Sequence, residues 1–345
     1  MSYEGMNRYS VLGWIGEGSQ GIVLKGKDLQ NGDIVALKRI TLKKVTDGIP
    51  LNLLREIKAL QMIDSDYIVK LLEVFSYGAG FVLVFEFMQS DLAEVLRDFE
   101  VTLNSGHVKS YMQMLLKGVA HCHSLGVIHR DLKPANLLIS SNGMLKIADF
   151  GLARLYTKDE IRPYSHRVAT RWYRAPELLY GANIYNEGMD LWAVGCIFGE
   201  MLNYSPVFPG ENDINQLSVV LQFLGTPTEE SWPGMTQLPD YNKIEFPKQK
   251  AVPFEEIFQT ACSEAIDLLK KFLVYASNTR IPAEKALVHP YFFVKPLAVP
   301  PSQLPRPVRR PRTTHPGPLG DFDVLRPLEI DLVSPILVEE SARRD

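Results

Sequence analysis

The spacing of apolar residues changes near residue 88, and this change constrains the fold of the chain more than any other feature. Before it, short runs rich in Val, Ile, Leu and Phe are separated by turn signals such as Q-N-G-D, a pattern typical of β-strands. After it, apolar residues recur every three or four positions, as they do on one face of a helix. The sequence therefore predicts an α+β fold with two lobes, a small antiparallel β-sheet lobe with one main helix and a larger, mainly helical lobe.

The first lobe is predicted over residues 1–88. Its strands are the apolar runs Tyr9–Trp14, Ile22–Gly26, Ile34–Ile40, Leu71–Phe75 and Phe81–Phe85. Between the third and fourth runs, residues 51–62 predict a helix with an apolar face formed by Leu53, Leu54, Ile57 and Leu60. The simplest arrangement of the strands is a meander.

The second lobe is predicted over residues 89–295. Its clearest helical faces lie in residues 108–122, 190–202 and 263–272. Between the first two, S-S-N-G separates two short apolar runs and predicts a hairpin. From residue 296 to 345 the chain is rich in proline and has almost no periodicity, so a flexible or extended tail with local docking is expected.

Composition excludes some functional classes. The net charge of -3 gives no electrostatic reason to expect nucleic acid, and no window approaches the ~18 apolar residues of a membrane span. Cys122, Cys196 and Cys262 are too few and too scattered for a disulfide framework or a zinc site, and fit buried thiols in a reducing compartment. These features predict an intracellular protein without membrane insertion. The basic run at residues 306–312 leaves two readings open, a solvated tail or a nuclear-localisation or acidic-partner patch.

A glycine-rich segment and a lysine suggest phosphate binding in the first lobe. G-E-G-S-Q-G, residues 16–21, lies between two predicted strands instead of opening a helix, which argues against a dinucleotide fold. Its glycines would let main-chain amides approach phosphates, although a plain hairpin turn has the same composition. Lys38 ends the run I-V-A-L-K and could be an ordinary edge lysine. Paired with Glu56, it would hold the α- and β-phosphates of a nucleotide.

The second lobe carries more specific motifs. H-R-D-L-K-P-A-N, residues 129–136, places Asp131 and Asn136 five positions apart, and D-F-G follows a short apolar strand at residues 149–151. Two hard oxygen ligands from separate loops suit Mg²⁺, which prefers carboxylates together with substrate phosphates. Asn136 and Asp149 are therefore the predicted metal ligands, and Asp131 is left to accept the proton of a substrate hydroxyl.

Taken in order, these motifs and the later A-P-E resemble the signature set of the eukaryotic protein kinases over about residues 9–293. The resemblance implies a bilobal protein-kinase fold that uses ATP and Mg²⁺. It also implies that H-R-D-L-K-P-A-N, residues 129–136, is the catalytic loop, that its Lys133 contacts the γ-phosphate, and that Thr170 hydrogen-bonds to it. Arg280 is implied to pair with Glu177. D-L-W-A-V-G at residues 190–195 matches a further landmark of the family.

The same matching implies a set of nucleotide contacts. The glycine-rich segment and the hinge V-F-E-F-M would surround the base and phosphates, and Asp91 would reach the ribose. By position, the implied ATP-binding residues are Ile15, Gly16, Glu17, Gly18, Ser19, Gln20, Gly21, Ile22, Val23, Ala36, Lys38, Phe85, Glu86, Met88, Asp91 and Leu138.

Within the family, D-L-K-P-A-N resembles the serine/threonine kinases, and R-W-Y-R-A-P-E-L-L, S-P-V-F-P-G and L-G-T-P resemble the cyclin-dependent and mitogen-activated group. A short segment without Thr-x-Tyr favours the cyclin-dependent side. The resemblance implies that Arg174 faces the turn at Val168 and Ala169 and that proline is favoured after the phosphoacceptor, because proline lacks an N–H. Protein substrates with Ser-Pro or Thr-Pro sites are thus expected.

Three further stretches, D-G-I-P-L-N-L-L-R-E-I-K-A-L-Q, V-A-T-R-W-Y-R-A-P-E and H-P-G-P-L-G-D-F-D, resemble a cell-cycle-associated branch of the cyclin-dependent group. This likeness implies kinases of the same group as substrates, a nuclear and cytoplasmic location, and a link to cilia. The helix at residues 51–62 lacks P-S-T-A-I-R-E, so whether the activator is a cyclin or another protein stays open.

By resemblance, Ser165 is the activating phosphorylation site. Its phosphate would be bound by Arg55, Arg130 and Arg154, because a phosphate adds about two negative charges and strong acceptors. The alternative to an enzyme is a pseudokinase scaffold that acts by partner binding. The presence of all five residues that catalysis requires favours the enzyme; they are Lys38, Glu56, Asp131, Asn136 and Asp149.

Overall fold

The computed structural model describes residues 7–18, 21–41, 49–78, 80–156, 165, 168–305 and 322–323. These residues divide into two compact units. The N-terminal lobe contains the described residues up to Asp64, Val69–Met88 and the short strand at 322–323. The C-terminal lobe contains Ser65–Ile68 and the described residues from Gln89 to Pro305.

Among its described residues, the N-terminal lobe is an antiparallel sheet with one helix, as predicted. Its strands are β1 (Asn7–Gly18), β2 (Gly21–Asp28), β3 (Ile34–Thr41), β4 (Leu71–Tyr77) and β5 (Gly80–Glu86), and a short strand from the tail, here β11 (Phe322–Asp323), pairs with β1. The helix α1 spans Leu51–Met62, the bounds predicted from its apolar face.

The predicted meander is wrong for the last two strands. The order across the sheet is β11-β1-β2-β3-β5-β4, so β3 pairs with β5 and β4 lies at the edge. The reason is that α1 separates β3 from β4 along the chain, which frees β4 from the tight turn that makes consecutive strands neighbours. The hairpin from β4 to β5 then returns β5 to the side of β3.

The two faces of this sheet have separate cores because successive side chains of a strand point to opposite faces. One core contains Leu24, Leu37 and Val82 among its buried residues. The other joins Ile40 and Leu83 of the sheet to residues of α1, including Leu53 and Ile57. The helix therefore covers only the second face, and Lys38 lies on that face, two residues before Ile40.

The C-terminal lobe is mainly helical. Its helices are α2 (Leu92–Arg97), α3 (Ser105–Ser124), α4 (Pro176–Leu179), α5 (Gly188–Asn203), α6 (Asp213–Leu224), α7 (Phe254–Ile257), α8 (Ser263–Phe272) and α9 (Ala283–Ala286). Its strands are short: β6 (Ser90–Asp91), β7 (Val127–Ile128), β8 (Leu137–Ile139), β9 (Leu145–Ile147) and β10 (Arg154–Leu155). The predicted hairpin at S-S-N-G is confirmed as β8 and β9.

The central helices α3 and α5 are buried along most of their length. A capping box starts α3: the Asn104 side chain accepts from the main-chain N–H of His107, and the His107 ring accepts from the N–H of Asn104. Cys122 and Cys196 are buried in these helices, as predicted, but Cys262 is exposed. The prediction is wrong for Cys262 because this residue occupies the N-cap of α8, where the chain enters the helix from a surface loop.

The chain beyond residue 293 packs along α3 as far as Pro305. The fully buried Lys109 donates from Nζ to the carbonyl oxygens of Val294, at 2.5 Å, and Pro296, at 2.8 Å. Tyr111 donates to the carbonyl of Pro305 at 3.1 Å. Burial lowers the pKa of Lys109, and the two carbonyls provide the partners that a buried ammonium needs. The predicted tail from residue 296 thus begins with a segment that is hydrogen-bonded to α3 through its Pro296 and Pro305 carbonyls, and the basic run at 306–312 lies outside the described residues.

Within the described ranges, the structure has no helix that combines the length and the apolar character needed to cross a bilayer.

Candidate active site

Lys38 and Glu56 form an ion pair in the N-terminal lobe. Nζ of Lys38, in the middle of β3, lies 2.6 Å from Oε1 of Glu56 on α1, and the Glu56 side chain is almost fully buried. The helix packs on the face of the sheet that carries Lys38, which brings the carboxylate within reach. A buried pair of this kind fixes the position of the ammonium group, since separating the charges in a dry site is costly.

The predicted glycine-rich segment is the hairpin between β1 and β2. The pairing Gly16↔Val23, Glu17↔Ile22 and Gly18↔Gly21 runs to its end, and Ser19 and Gln20 lie outside the described residues. Gly21 is required for a steric reason. Its φ is +151°, and a Cβ there would lie 2.0 Å from the carbonyl oxygen of Arg39.

Other predicted nucleotide contacts share the Lys38 face of the sheet. The register places Val23 opposite Lys38 and Phe85 opposite Ala36, and these three apolar side chains are only partly buried. An apolar, partly accessible surface beside a fixed cation can bind a flat base with phosphates. Ile22 differs, because its side chain packs against the core on the opposite face.

The hinge residues continue from β5. The main-chain N–H of Glu86 donates to the carbonyl of Lys70 at 3.1 Å, and its carboxylate accepts from the N–H of Lys70 at 2.8 Å. Met88 is buried at the end of the lobe. Ile15 lies where the register between β1 and β2 shifts, between Trp14 and Gly16. Glu86 is therefore positioned by main-chain pairing, whereas Ile15 lies at an irregularity between two paired residues and Met88 lies beyond the end of β5.

Asp131 is the centre of a hydrogen-bond network in the C-terminal lobe. Its Oδ1 accepts from the N–H of Thr170 at 2.9 Å and from the Thr170 hydroxyl at 3.0 Å. Its Oδ2 accepts from Nζ of Lys133 at 2.7 Å and from Nδ2 of Asn136 at 3.1 Å. Nζ of Lys133 also donates to the Thr170 hydroxyl at 2.9 Å. Four donors occupy the carboxylate, which has about four acceptor sites.

The hairpin of β8 and β9 brings the two predicted metal ligands to one end. Asn136 directly precedes β8, Asp149 follows β9 by two residues, and the N–H of Ala148 donates to the carbonyl of Asn136 at 2.9 Å. Nδ2 of Asn136 donates to Asp131, so its Oδ1 is the atom available to a cation. Asp149 is exposed and has a left-handed backbone with φ of 64°. One carboxylate and one amide oxygen fit Mg²⁺, which keeps several waters and also binds substrate phosphates.

Asp190 fixes the main chain of the catalytic loop, a role that the sequence analysis missed. At the start of α5 it is 1% exposed, and its carboxylate accepts from the N–H of His129 at 2.8 Å and of Arg130 at 2.9 Å. Nε2 of His123 lies 2.9 Å from the same carboxylate. Burial alone would raise the pKa of Asp190, but the hydrogen bond and charge of His123, with the Arg130 N–H, hold it below its ordinary value. The loop is thus held by a buried anion.

Two other predicted contacts lie in this lobe. Asp91 caps α2, with Oδ1 accepting from the N–H of Glu94 at 2.9 Å, so the predicted ribose ligand is held at a helix N-terminus. Leu138 is partly buried in β8 and pairs with Asp91 of β6.

Arg174 binds the turn that the sequence analysis assigned to substrate positioning. It donates from Nε to the carbonyl of Val168 at 2.9 Å and from Nη2 to the carbonyl of Ala169 at 3.0 Å. Ala169 has a left-handed φ of 64°, unusual for a residue with a Cβ. Asp213 accepts from Nη1 of Arg174 and Nε of Arg171, both at 3.0 Å, and sequence reasoning did not anticipate this contact.

Glu177 and Arg280 form a bidentate pair, as the resemblance implied. Nη1 and Nη2 of Arg280 lie 2.7 and 2.8 Å from the two carboxylate oxygens. Both side chains are buried, and Arg280 also donates to the carbonyls of Val274 and Tyr275. Satisfied donors of this kind are what a buried charge pair requires. The pair anchors the end of the activation segment, the stretch of chain from D-F-G at residues 149–151 to A-P-E at residues 175–177, to the loop after α8.

Ser165 is exposed, and two of the predicted phosphate-binding arginines lie in the same lobe. Arg130 is buried, with Nε donating to the carbonyl of Leu152 at 2.6 Å. Arg154 lies in β10, which pairs with β7 so that Arg154 faces Ile128, two residues before Arg130. Arg55 is partly exposed on α1 of the N-terminal lobe, next to Glu56.

Sequence signals for the missed residues were weak. Asp190 begins D-L-W-A-V-G, which matches a landmark of the family, but an acid in the first turn of an apolar helix does not by itself indicate a contact with the catalytic loop. Tyr185, which accepts a hydrogen bond from Nη1 of Arg130 at 2.7 Å, lies in a loop without periodicity. Asp213 begins α6 and looks like any acid at a helix N-terminus. Only the fold brings these residues to the catalytic loop and activation segment.

Comparison with protein families matches residues 9–292 to the model described as Protein kinase domain. The chain is 59% identical over 340 residues to Cyclin-dependent kinase 20 of Danio rerio, covering 98% of this chain and 99% of the relative. It is 45% identical over 301 residues to Cyclin-dependent kinase D-1 of Oryza sativa subsp. indica, covering 87% of this chain and 70% of that one.

Among solved structures, the chain is similar to one in the CAK complex from Chaetomium thermophilum bound to ATP-gamma-S. The TM-score is 0.81 with 34% sequence identity, and the alignment covers 87% of this chain and 96% of the other. The similarity spans both lobes described above.

Proposed function

The chain belongs to the protein kinase family, as a serine/threonine kinase of the cyclin-dependent group, and we propose how its residues transfer the γ-phosphoryl group of ATP. The observation that carries the proposal is the network around Asp131, in which Lys133, Asn136 and Thr170 all donate to one carboxylate. This arrangement holds the Asp131 carboxylate, a base, at a fixed position beside the ammonium group of Lys133.

Asp131 accepts the proton of the substrate hydroxyl. Its acceptor sites are filled by four donors, so the incoming hydroxyl must replace one of them. We assign the replaceable donor to Lys133, whose Nζ turns to the γ-phosphate when ATP is bound. Thr170 and Asn136 keep the carboxylate in place during this exchange, and Lys133 offsets charge on the transferred group.

Mg²⁺ would be held by Oδ1 of Asn136 and the carboxylate of Asp149, and when bound it neutralises phosphate charge and orients the phosphates. Lys38, fixed by Glu56, holds the α- and β-phosphates. The support for this assignment is the donor chemistry, one amide and one carboxylate oxygen at the same end of a hairpin.

Substrates are proposed to carry proline after the phosphoacceptor. The contacts of Arg174 with the carbonyls of Val168 and Ala169 support this, because each carbonyl already accepts a charged donor and is therefore a weaker acceptor for a substrate N–H. Proline has no N–H, so a substrate with proline at this position loses no hydrogen bond there. The likeness to the CAK complex and to Cyclin-dependent kinase D-1 further supports kinases of the same group as substrates and a cyclin-like activator.

Phosphorylation of Ser165 is the proposed switch. Its phosphate would be received by Arg130 and Arg154, with Arg55 as the third ligand. We expect Ser165→Ala to abolish activation by an upstream kinase while leaving the folded protein intact. The nuclear, cytoplasmic and ciliary locations rest on the sequence resemblance.

Phosphoryl transfer to matched Ser-Pro and Ser-Ala peptides tests the function, with ATP and Mg²⁺ supplied. The wild type should phosphorylate the Ser-Pro peptide preferentially, and Asp131→Asn should transfer nothing measurable. Asp240→Asn is the matched control, because it removes the charge of a half-buried carboxylate that is paired with Lys243 far along the chain. Equal transfer by Asp131→Asn and the wild type would refute the assignment, and equal use of both peptides would refute the proline preference alone.

A further inference from the structure

The hydroxyl of Tyr185 connects the catalytic loop to the activation segment. Nη1 of Arg130 donates to this hydroxyl at 2.7 Å, and the hydroxyl donates to the main-chain carbonyl of Ser165 at 2.8 Å. A phenolic oxygen can accept one hydrogen bond and donate another, so both contacts are satisfied together. The contact with Ser165 uses the main chain and leaves its side chain free.

Arg130 is a fixed point in this chain of contacts. It is 3% exposed, its backbone is left-handed with φ of 69°, and its N–H donates to Asp190. Nε donates to the carbonyl of Leu152, directly after D-F-G. The guanidinium is thus held in place by the main chain after D-F-G, and the group that binds its Nη1 is held beside the catalytic loop.

We propose that Tyr185 is a positioning residue that holds Ser165 beside Arg130 before Ser165 is phosphorylated. The inference rests on the proposed role of Ser165 as the switch. In the unphosphorylated chain the tyrosine makes the connection through a neutral hydroxyl, so the activation segment keeps part of its active arrangement and the kinase has basal activity.

Phosphorylation changes what Tyr185 contributes. A phosphate on Ser165 provides charged acceptors for Arg130 directly, and charge-assisted hydrogen bonds are about twice as strong as neutral ones. The hydrogen bonds of Tyr185 are then a few among several that hold the segment, and the phosphate contacts compensate for their loss. Tyr185 therefore matters in the unphosphorylated state and much less in the phosphorylated state.

Tyr185→Phe tests this by removing one oxygen atom. In protein treated with phosphatase, and in a Ser165→Ala background that cannot be phosphorylated, kcat/KM should fall about tenfold, the value of one hydrogen bond to a charged group. In protein phosphorylated at Ser165 it should change by less than about twofold. The ratio of phosphorylated to unphosphorylated activity should rise accordingly.

Tyr204→Phe is the matched control, because it also removes a tyrosine hydroxyl that contacts a main-chain carbonyl of this lobe, that of Leu103. It should leave kcat/KM unchanged in both states. Hydrogen exchange provides a second measurement. The amides from Ser165 to Thr170 should exchange faster in unphosphorylated Tyr185→Phe, while those of α5 keep the wild-type rate and the Tm is unchanged.

An equal loss of activity in both states, or no change in activity and exchange, would overturn the role of Tyr185. A failure of the proposed function looks different. If the wild type transfers no phosphate, or Ser165 phosphorylation leaves its activity unchanged, the switch is refuted, while the exchange comparison still decides whether Tyr185 holds the segment.

Discussion

Asp131 and Thr170 are joined by two hydrogen bonds, one from the main-chain N–H and one from the hydroxyl of Thr170, at 2.9 and 3.0 Å to the same carboxylate oxygen. The first residue lies in the catalytic loop and the second within the activation segment, 39 positions later and before A-P-E. A displacement of the segment therefore changes the position of the proposed base. This contact couples the order of the activation segment to the proposed base, in addition to the connection through Tyr185 and Arg130.

Thr170→Val tests that coupling. Valine preserves the shape and the main-chain contact but removes the hydroxyl that donates to Asp131 and accepts from Lys133. We expect kcat to fall by about tenfold to a hundredfold, because a hydrogen bond to a charged group contributes about 1.5–3 kcal/mol. Steady-state kinetics checks this, with Thr170→Ser, which keeps the hydroxyl, retaining most of the activity. Equal kinetics for the valine and serine variants would contradict the coupling.

Asp190→Asn should weaken the hydrogen bonds that hold the main chain of the catalytic loop. An asparagine keeps one acceptor oxygen and turns an NH₂ group towards donors, so at least one main-chain N–H, of His129 or Arg130, loses its partner. We expect the free energy of unfolding to fall by about 1–3 kcal/mol and kcat to fall at least about tenfold. Urea unfolding and kinetics provide the two measurements.

Asp28→Asn is the matched control for that experiment. Asp28 is also a buried aspartate, in the N-terminal lobe, where it pairs with Arg8. The Asp28→Asn variant should have a lower free energy of unfolding without a comparable loss of kcat, because Asp28 has no contact with the catalytic loop in the described structure. A variant of Asp190 that is destabilised but fully active would show that the loop holds its shape without the anion.

The sequence predicts local structure well here because local periodicity determines it. The helix at residues 51–62 has the predicted bounds, and the hairpin at S-S-N-G forms where expected. The partner of a strand depends on the path between strands, which periodicity does not encode. A meander pairs β3 with β4, whereas in the structure β3 pairs with β5 and β4 lies at the edge of the sheet.

The candidate site shows the same difference between residues that local sequence identifies and residues that only the fold brings together. Asp131, Asn136 and Asp149 were found because dense polar motifs in loops stand out from the apolar pattern around them. Asp190 and Tyr185 contact the catalytic loop from positions about 60 residues later, and neither local sequence indicates that contact. Only the packing of α5 and its preceding loop against the catalytic loop reveals their roles.

Arg280→Met should strongly destabilise the C-terminal lobe. Removing the arginine leaves the Glu177 carboxylate buried without its bidentate partner, and loss of one member of a buried pair costs about 3–5 kcal/mol. Urea unfolding measures this. Lys271→Met is the matched control, because it breaks an exposed pair with Asp267 that contributes no more than ~0.5 kcal/mol. Similar losses for the two variants would mean that the pair between Glu177 and Arg280 has little role in stability.

Glu200→Gln should give a pH-dependent gain in stability. Burial raises the pKa of Glu200, and the hydrogen bond from the Tyr173 hydroxyl, at 2.7 Å, opposes that effect only in part. A carboxyl whose pKa is raised by folding binds more protons in the folded state than in the unfolded state. The buried charge of Glu200 therefore lowers the free energy of unfolding by its full amount above the folded pKa, and this loss disappears as pH falls towards the unfolded pKa of 4.5.

Glutamine keeps an acceptor for Tyr173 without the charge. The variant should therefore have a higher Tm than the wild type at pH 7.5, and the difference should shrink steadily towards pH 5. A difference in Tm that is constant with pH, or that grows on acidification, would show that Glu200 is not the titrating group.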